Sequence, residues 1–101
     1  MKVLFVCRSN AGRSQIACAL FQKITKNHEA ASAGIEVSKD GKEGYPPGRL
    51  VILAMAEDDI DISKSTRKQL TSEMVDKAGK VIVLMTKDEQ AKYLPEYLRN
   101  N

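Results

Sequence analysis

Between residues 7 and 14 the chain reads Cys7, Arg8, Ser9, Asn10, Ala11, Gly12, Arg13, Ser14. This run sets a thiol, a guanidinium and a hydroxyl within eight positions. A cysteine thiolate is a strong nucleophile, the planar fork of Arg13 matches two oxygens of a phosphoryl group, and the Ser14 hydroxyl can donate to sulfur. Asn10 and Gly12 are residue types that accept left-handed backbone, so the stretch can turn tightly and aim its amides inward. Such a nest, backed by the positive end of a helix beginning near Arg13 or Ser14, cradles an oxyanion and favours the nucleophilic form of Cys7. The expected site is therefore Cys7 and Arg13 as catalytic groups, with phosphate held by Arg8, Ser9, Asn10, Ala11, Gly12, Arg13 and Ser14. It is not a nucleotide-binding Walker loop, because the first glycine and the lysine of GxxxxGK[ST] are missing.

The flanking elements explain why a thiol should sit there. Lys2 to Val6 is β-branched and aromatic and reads as a buried strand, and Ile16, Ala17, Leu20, Phe21 and Ile24 recur at helical spacing from Ser14 to about Asn27. A second strand is expected from Glu29 to Ala33, broken at Gly34, followed by a loop from Ser38 to Gly48 and a helix from Leu50 to about Asp58. Thr71 can cap a helix through Ala78 that Gly79 ends, Val81 to Met85 reads as a strand, and Thr86 with Glu89 has capping-box spacing for a helix limited by Pro95. Alternating strands and helices predict an α/β fold, a small parallel sheet with right-handed crossovers and helices on both faces. In such sheets ligands bind beyond the carboxyl ends of the strands, which is where Cys7 falls.

Composition narrows the function classes. The 101 residues suit one domain spanning 1–101, with 43% hydrophobic and 29% charged residues and no apolar run long enough for a membrane helix. Cys7 and Cys18 form neither a CxxC pair nor part of a metal-ligand cluster, so reduced thiols, a cytoplasmic location and no metal or cofactor are expected. The net charge of +3 suits an anionic ligand, but no basic block or aromatic ladder points to nucleic acid.

At "CRSNAGRS" the sequence resembles the low-molecular-weight protein tyrosine phosphatases, a family that includes thioredoxin-coupled arsenate reductases. The resemblance continues through "SAG" at Ser32 to Gly34, "DIDIS" at Asp59 to Ser63, "RKQLTSEMVDKAGKVIVLM" at Arg67 to Met85 and "YLPEYL" at Tyr93 to Leu98. It implies a phosphotyrosine phosphatase I-like three-layer fold and a cysteine-dependent phosphomonoesterase working through a cysteinyl-phosphate on Cys7, with Arg13 and the loop amides on the equatorial oxygens. Phosphotyrosine or another phosphate monoester, or arsenate, would be the substrate. Two departures qualify this. The family's Asp-Pro general acid is nowhere in the sequence, which predicts weakened acid catalysis, and the family's last strand and helix are missing, which predicts a C-terminally shortened fold with an exposed edge at Val81 to Met85 that invites self-association. The further cysteines of the arsenate reductases are replaced by "MTKDEQ", so arsenate reduction would need an external thiol. A catalytically weak oxyanion-binding module is the third reading.

Other residues have blander assignments. Cys18 on the first helix fits packing, Arg8 is divided between anion capture and a solvated surface, and Tyr45 is a half-exposed loop tyrosine. His28 lies beyond the first helix, too far from Cys7 to serve as a base. Asp58, Asp59, Asp61 and Asp88 belong at helix ends.

Overall fold

The computed structural model describes residues 1–99, so positions 100 and 101 of the expected domain span lie outside the described residues. The first strand, β1 (Lys2–Cys7), is buried at every position except Lys2. Its alternating side chains serve two faces of the sheet. Leu4 and Val6 join Ala33, Leu70 and Leu98 in one core cluster, whereas Phe5 meets Phe21 edge-on, with ring centroids 5.6 Å apart. That aromatic contact, worth about 0.5–1.5 kcal/mol beyond its buried area, fastens α1 (Arg13–Ile24) to the second face. The helix stops three residues short of Asn27 because Thr25 is extended, its amide donating to the Phe21 carbonyl at 3.0 Å.

Next comes β2 (Glu29–Gly34), one residue longer than its sequence suggests, and then α2 (Arg49–Glu57). Helix α3 (Ser72–Lys77) is capped as expected, the Thr71 hydroxyl accepting from the Met74 amide. The third strand, β3 (Lys80–Val83), is shorter than expected. Leu84 and Met85 have left the strand, although the Leu84 amide still donates to Val6 O at 2.7 Å. Helix α4 (Lys87–Tyr93) carries a complete Thr86–Glu89 capping box.

A short helix that the sequence reading lacked, α5 (Glu96–Arg99), follows Pro95. Proline ends α4, having no amide to continue it, yet its carbonyl accepts from the Leu98 and Arg99 amides and so opens the next turn. The turn buries Leu98 in the core cluster.

The strands form one parallel sheet in the order β2-β1-β3. Cys7 pairs with Gly34 and Val6 with Val83, so the carboxyl ends of all three strands lie together. Among the described residues no strand lies outside β3, which leaves it an edge as expected. No helix among them is long and apolar enough to cross a membrane.

Candidate active site

Cys7 ends β1 and is 1% exposed. Its Sγ lies 3.0 Å from the Ser14 Oγ and accepts from the Asn10 amide at 3.3 Å. Asn10 is fully buried and holds the left-handed backbone expected of it, with φ of 53°. Its side-chain orientation is fixed by its partners: Oδ1 accepts from the Lys68 amide at 2.9 Å and from Gln15 Nε2 at 3.2 Å, so Nδ2 must face Ser14, to which it donates at 2.6 Å. With that bond accepted, the Ser14 hydroxyl keeps its own proton and can donate it to a Cys7 thiolate. A relay of oriented dipoles therefore runs from the 66–68 segment through Asn10 and Ser14 to Cys7.

Gly12 departs from its expected role. Its φ is −138°, so it does not turn the loop through left-handed space. It is instead the N-cap of α1, and a side chain there would point at Val51, whose Cγ2 stands 3.4 Å from the Cβ position. No side chain caps α1, and its first turn holds no acid. This contrasts with the threonine caps of α3 and α4. First-turn amides without a side-chain acceptor are donors available to an anion.

Two glycines lock the loop from outside. Gly48 at the start of α2 donates its amide to the Ala11 carbonyl at 2.9 Å. Gly34, opposite Cys7, lies so close beneath the loop that a Cβ would sit 2.7 Å from the Asn10 nitrogen and 2.8 Å from the Ser9 carbonyl carbon. The Gly34 amide and carbonyl are both bonded to the 68–70 segment, so the same residue supports the loop and holds Lys68 in place.

Arg13 opens α1, half-exposed, with both terminal nitrogens on Glu89: Nη1 to Oε1 at 2.7 Å and Nη2 to Oε2 at 2.9 Å. These hydrogen bonds are the main reason the Glu89 carboxyl is lowered to about 2, with the Thr86 amide adding to the effect. A carboxyl so acidic is ionised at neutral pH and has no proton to give a leaving group. In the sequence Glu89 signals only a helix cap. Arg8 lies with its guanidinium 4.4 Å above the Tyr93 ring, and its Nε, buried with no hydrogen-bond partner among the described residues, is 4.0 Å from Glu36.

The remaining residues stay apart. Cys18 lines a hollow with Ile60 and Ile62, and burial pushes its thiol up. Tyr45 is 48% exposed beneath Lys42, and His28 lies against Phe21. Asp88 sits in the first turn of α4. An open apolar groove of about 560 Å³ runs from Arg13 along Ile16, Ala17 and Leu20 to Leu84, Met85 and Thr86, beside the loop rather than over the sulfur. Among the described residues no group of three or more His, Cys, Asp or Glu side chains could hold a metal ion.

This arrangement places the chain among α/β proteins whose first strand, loop and helix close round a cysteine. Residues 2–100 match the family described as low molecular weight phosphotyrosine protein phosphatase, and the chain belongs to that family. It is 34% identical over 82 residues to a probable low molecular weight protein-tyrosine-phosphatase, EpsP, of Ralstonia solanacearum, covering 81% of this chain and 54% of the relative. It is 36% identical over 83 residues to an arsenate reductase of Oceanobacillus iheyensis, covering 81% and 55%. The fold matches Vibrio vulnificus Wzb, solved with benzylphosphonate, at a TM-score of 0.83 and 29% identity over 89% of this chain and 62% of that one. It also matches the YwlE arginine phosphatase from Geobacillus stearothermophilus at 0.76 and 29%, over 97% and 62%. The chain thus spans about half the length of the curated relatives it matches.

Proposed function

We propose that the chain is a cysteine-dependent phosphomonoesterase with Cys7 as nucleophile. The observation that carries this reading is the sulfur itself, seated between the Asn10 amide and the Ser14 hydroxyl at the foot of a helix whose first turn has no side-chain cap. In the first step the Cys7 thiolate attacks phosphorus, an S–P bond forms, and the P–O ester bond breaks with its electron pair leaving on oxygen. The loop amides from Arg8 to Ser14 and the Arg13 guanidinium stabilise the equatorial oxygens. Water then attacks phosphorus, breaking the S–P bond to release phosphate and return the thiolate.

The family's Asp-Pro acid is absent from these 101 residues, and Glu89, the carboxylate on Arg13, is held ionised. Substrates whose leaving group departs as a stable anion are therefore favoured, aryl phosphates such as phosphotyrosine mimics above alkyl phosphates. The name of EpsP points to phosphotyrosine and that of YwlE to phosphoarginine; a departing guanidine must be protonated, so without an acid the aryl ester is the favoured of the two. The test is phosphate release from p-nitrophenyl phosphate, present in the wild type and lost in Cys7→Ser. Retained turnover in that variant overturns the reading.

The arsenate reductase relative supports a second reading, in which Cys7 binds arsenate and two equivalents of an external thiol become a disulfide as arsenic(V) becomes arsenic(III). Cys18 is a poor internal partner, because it is fixed within α1 and its thiol is pushed up by burial. Arsenate-dependent oxidation of added thiol tests this reading, and oxyanion binding without either turnover would leave a binding module. Two unpaired thiols suit a reducing, cytoplasmic setting, and the open edge of β3 favours self-association, which sedimentation over a range of concentrations would show.

A further inference from the structure

Glu89 has a role in the sequence pattern that does not account for its position. As the third residue of α4 it accepts from the Thr86 amide at 3.0 Å, while its own amide donates to Thr86 Oγ1 at 3.1 Å. One carboxylate oxygen is enough for that task. Yet Oε1 also receives Arg13 Nη1, and Oε2 is devoted to Nη2. The partners are 76 residues apart in sequence and meet because β1 and β3 are parallel neighbours, so the elements following them, the loop with α1 and the start of α4, emerge on the same edge.

Counting donors shows what the contact leaves. A guanidinium has five N–H groups, and Glu89 takes one from each terminal nitrogen. The Nε–H and the second N–H of Nη2 form another fork along the side of the group, without a partner among the described residues and so open to two oxygens of an oxyanion. A long, half-exposed arginine pays rotamer entropy to adopt one geometry. A carboxylate already fixed by a capping box removes that freedom before the ligand arrives.

We propose that Glu89 is a positioning residue for Arg13, the capping box of α4 serving as the rigid mount that presents the free edge of the guanidinium to the phosphoryl group. The inference rests on the proposed phosphatase reading, in which Arg13 binds the transferring group. It makes a prediction opposite to that of simple charge. Removing a negative charge beside an anion site should tighten anion binding, whereas loss of positioning should weaken it and should lower kcat more than it raises KM, since orientation matters most in the transition state.

The experiment compares the wild type, Glu89→Gln and Glu89→Ala for p-nitrophenyl phosphate kinetics, for protection of Cys7 by inorganic phosphate against iodoacetate, and for thermal unfolding. Gln keeps the Oε1 acceptor and hence the capping box and one arm to Arg13. It should unfold near the wild-type temperature and lose several-fold in kcat, while Ala should lose about 10- to 100-fold in kcat and require more phosphate to protect Cys7. Faster turnover or tighter phosphate binding in either variant would make Glu89 a competitor of the substrate and overturn the inference. So would wild-type kcat in the folded Ala variant. If wild-type protein neither turns over substrate nor is protected by phosphate, the phosphatase reading itself fails and takes this inference with it. If the wild type is protected without turnover, the protection series alone decides the role of Glu89.

Discussion

Replacing Gly34 by alanine should disable the site without touching any residue of the loop. The Cβ would stand 2.7 Å from the Asn10 nitrogen, 2.8 Å from the Ser9 carbonyl carbon and 2.7 Å from Val37 Cγ2, where ordinary contact begins at 3.4 Å. Two of these neighbours are backbone, so no rotamer change relieves the overlap. The loop must lift by about 0.7 Å, the difference between those contact distances. The Asn10 amide donates to sulfur at 3.3 Å, ordinary for a sulfur acceptor, and a lift of that size carries it to the limit of contact. Overpacking of this kind costs about 1–3 kcal/mol, and a misplacement approaching 1 Å can cost about 100-fold in rate. Gly34→Ala should therefore unfold at a lower temperature and lose about 10- to 100-fold in kcat/KM on p-nitrophenyl phosphate, measured where it is still fully folded. Phosphate should also protect its Cys7 less well from iodoacetate. Wild-type rate and unfolding temperature in this variant would refute the claim that close packing of Gly34 sets the loop.

Across aryl phosphates of graded phenol acidity, kcat/KM should fall steeply as the leaving group becomes more basic, since general acid catalysis is typically worth about 10²- to 10⁴-fold; a flat series would show that some group does protonate the leaving oxygen. Iodoacetate, whose carboxylate fits the cradle, should label Cys7 ahead of Cys18 and be blocked by phosphate, because burial keeps the Cys18 thiol protonated; peptide mapping that finds Cys18 labelled first would count against the site. The Glu89 carboxyl sits at about 2 rather than near 4.5, so the stability it supplies through Arg13 is complete above about pH 4.5 and lost as pH falls towards 2. The difference in unfolding temperature between wild type and Glu89→Ala, which loses both the Arg13 and the Thr86 contacts, should hold from about pH 5 to 7 and narrow only in that acid window. A gap that closes above pH 5 would mean the ion pair is absent in solution.

Local chemistry was legible where neighbours in sequence act on one another. Asn10 had to be a residue that accepts positive φ, Ser14 is one strand-to-helix turn from Cys7, and Thr86 with Glu89 spells a capping box. Long-range contacts left no such mark. Nothing near Glu89 signals Arg13, and the Lys68 amide that orients Asn10 is a backbone group that any residue would supply. Gly12 carries the usual mark of a turning residue, yet its place is at a helix start facing Val51. Pro95 signals a stop, although its carbonyl also begins α5. Leu84 and Met85 continued an apolar run and so looked like strand, but β3 pairs with β1 only as far as Val83.

During turnover Cys7 should become covalently phosphorylated. Rapid alkaline quenching of the wild type with p-nitrophenyl phosphate, followed by peptide mass analysis at neutral to alkaline pH where a phosphocysteine survives, detects the adduct. The expected result is one phosphoryl group on the peptide containing Cys7, absent from Cys7→Ser and diminished when inorganic phosphate competes. Turnover with no phosphocysteine at any quench time, or with phosphate on another residue, would contradict it.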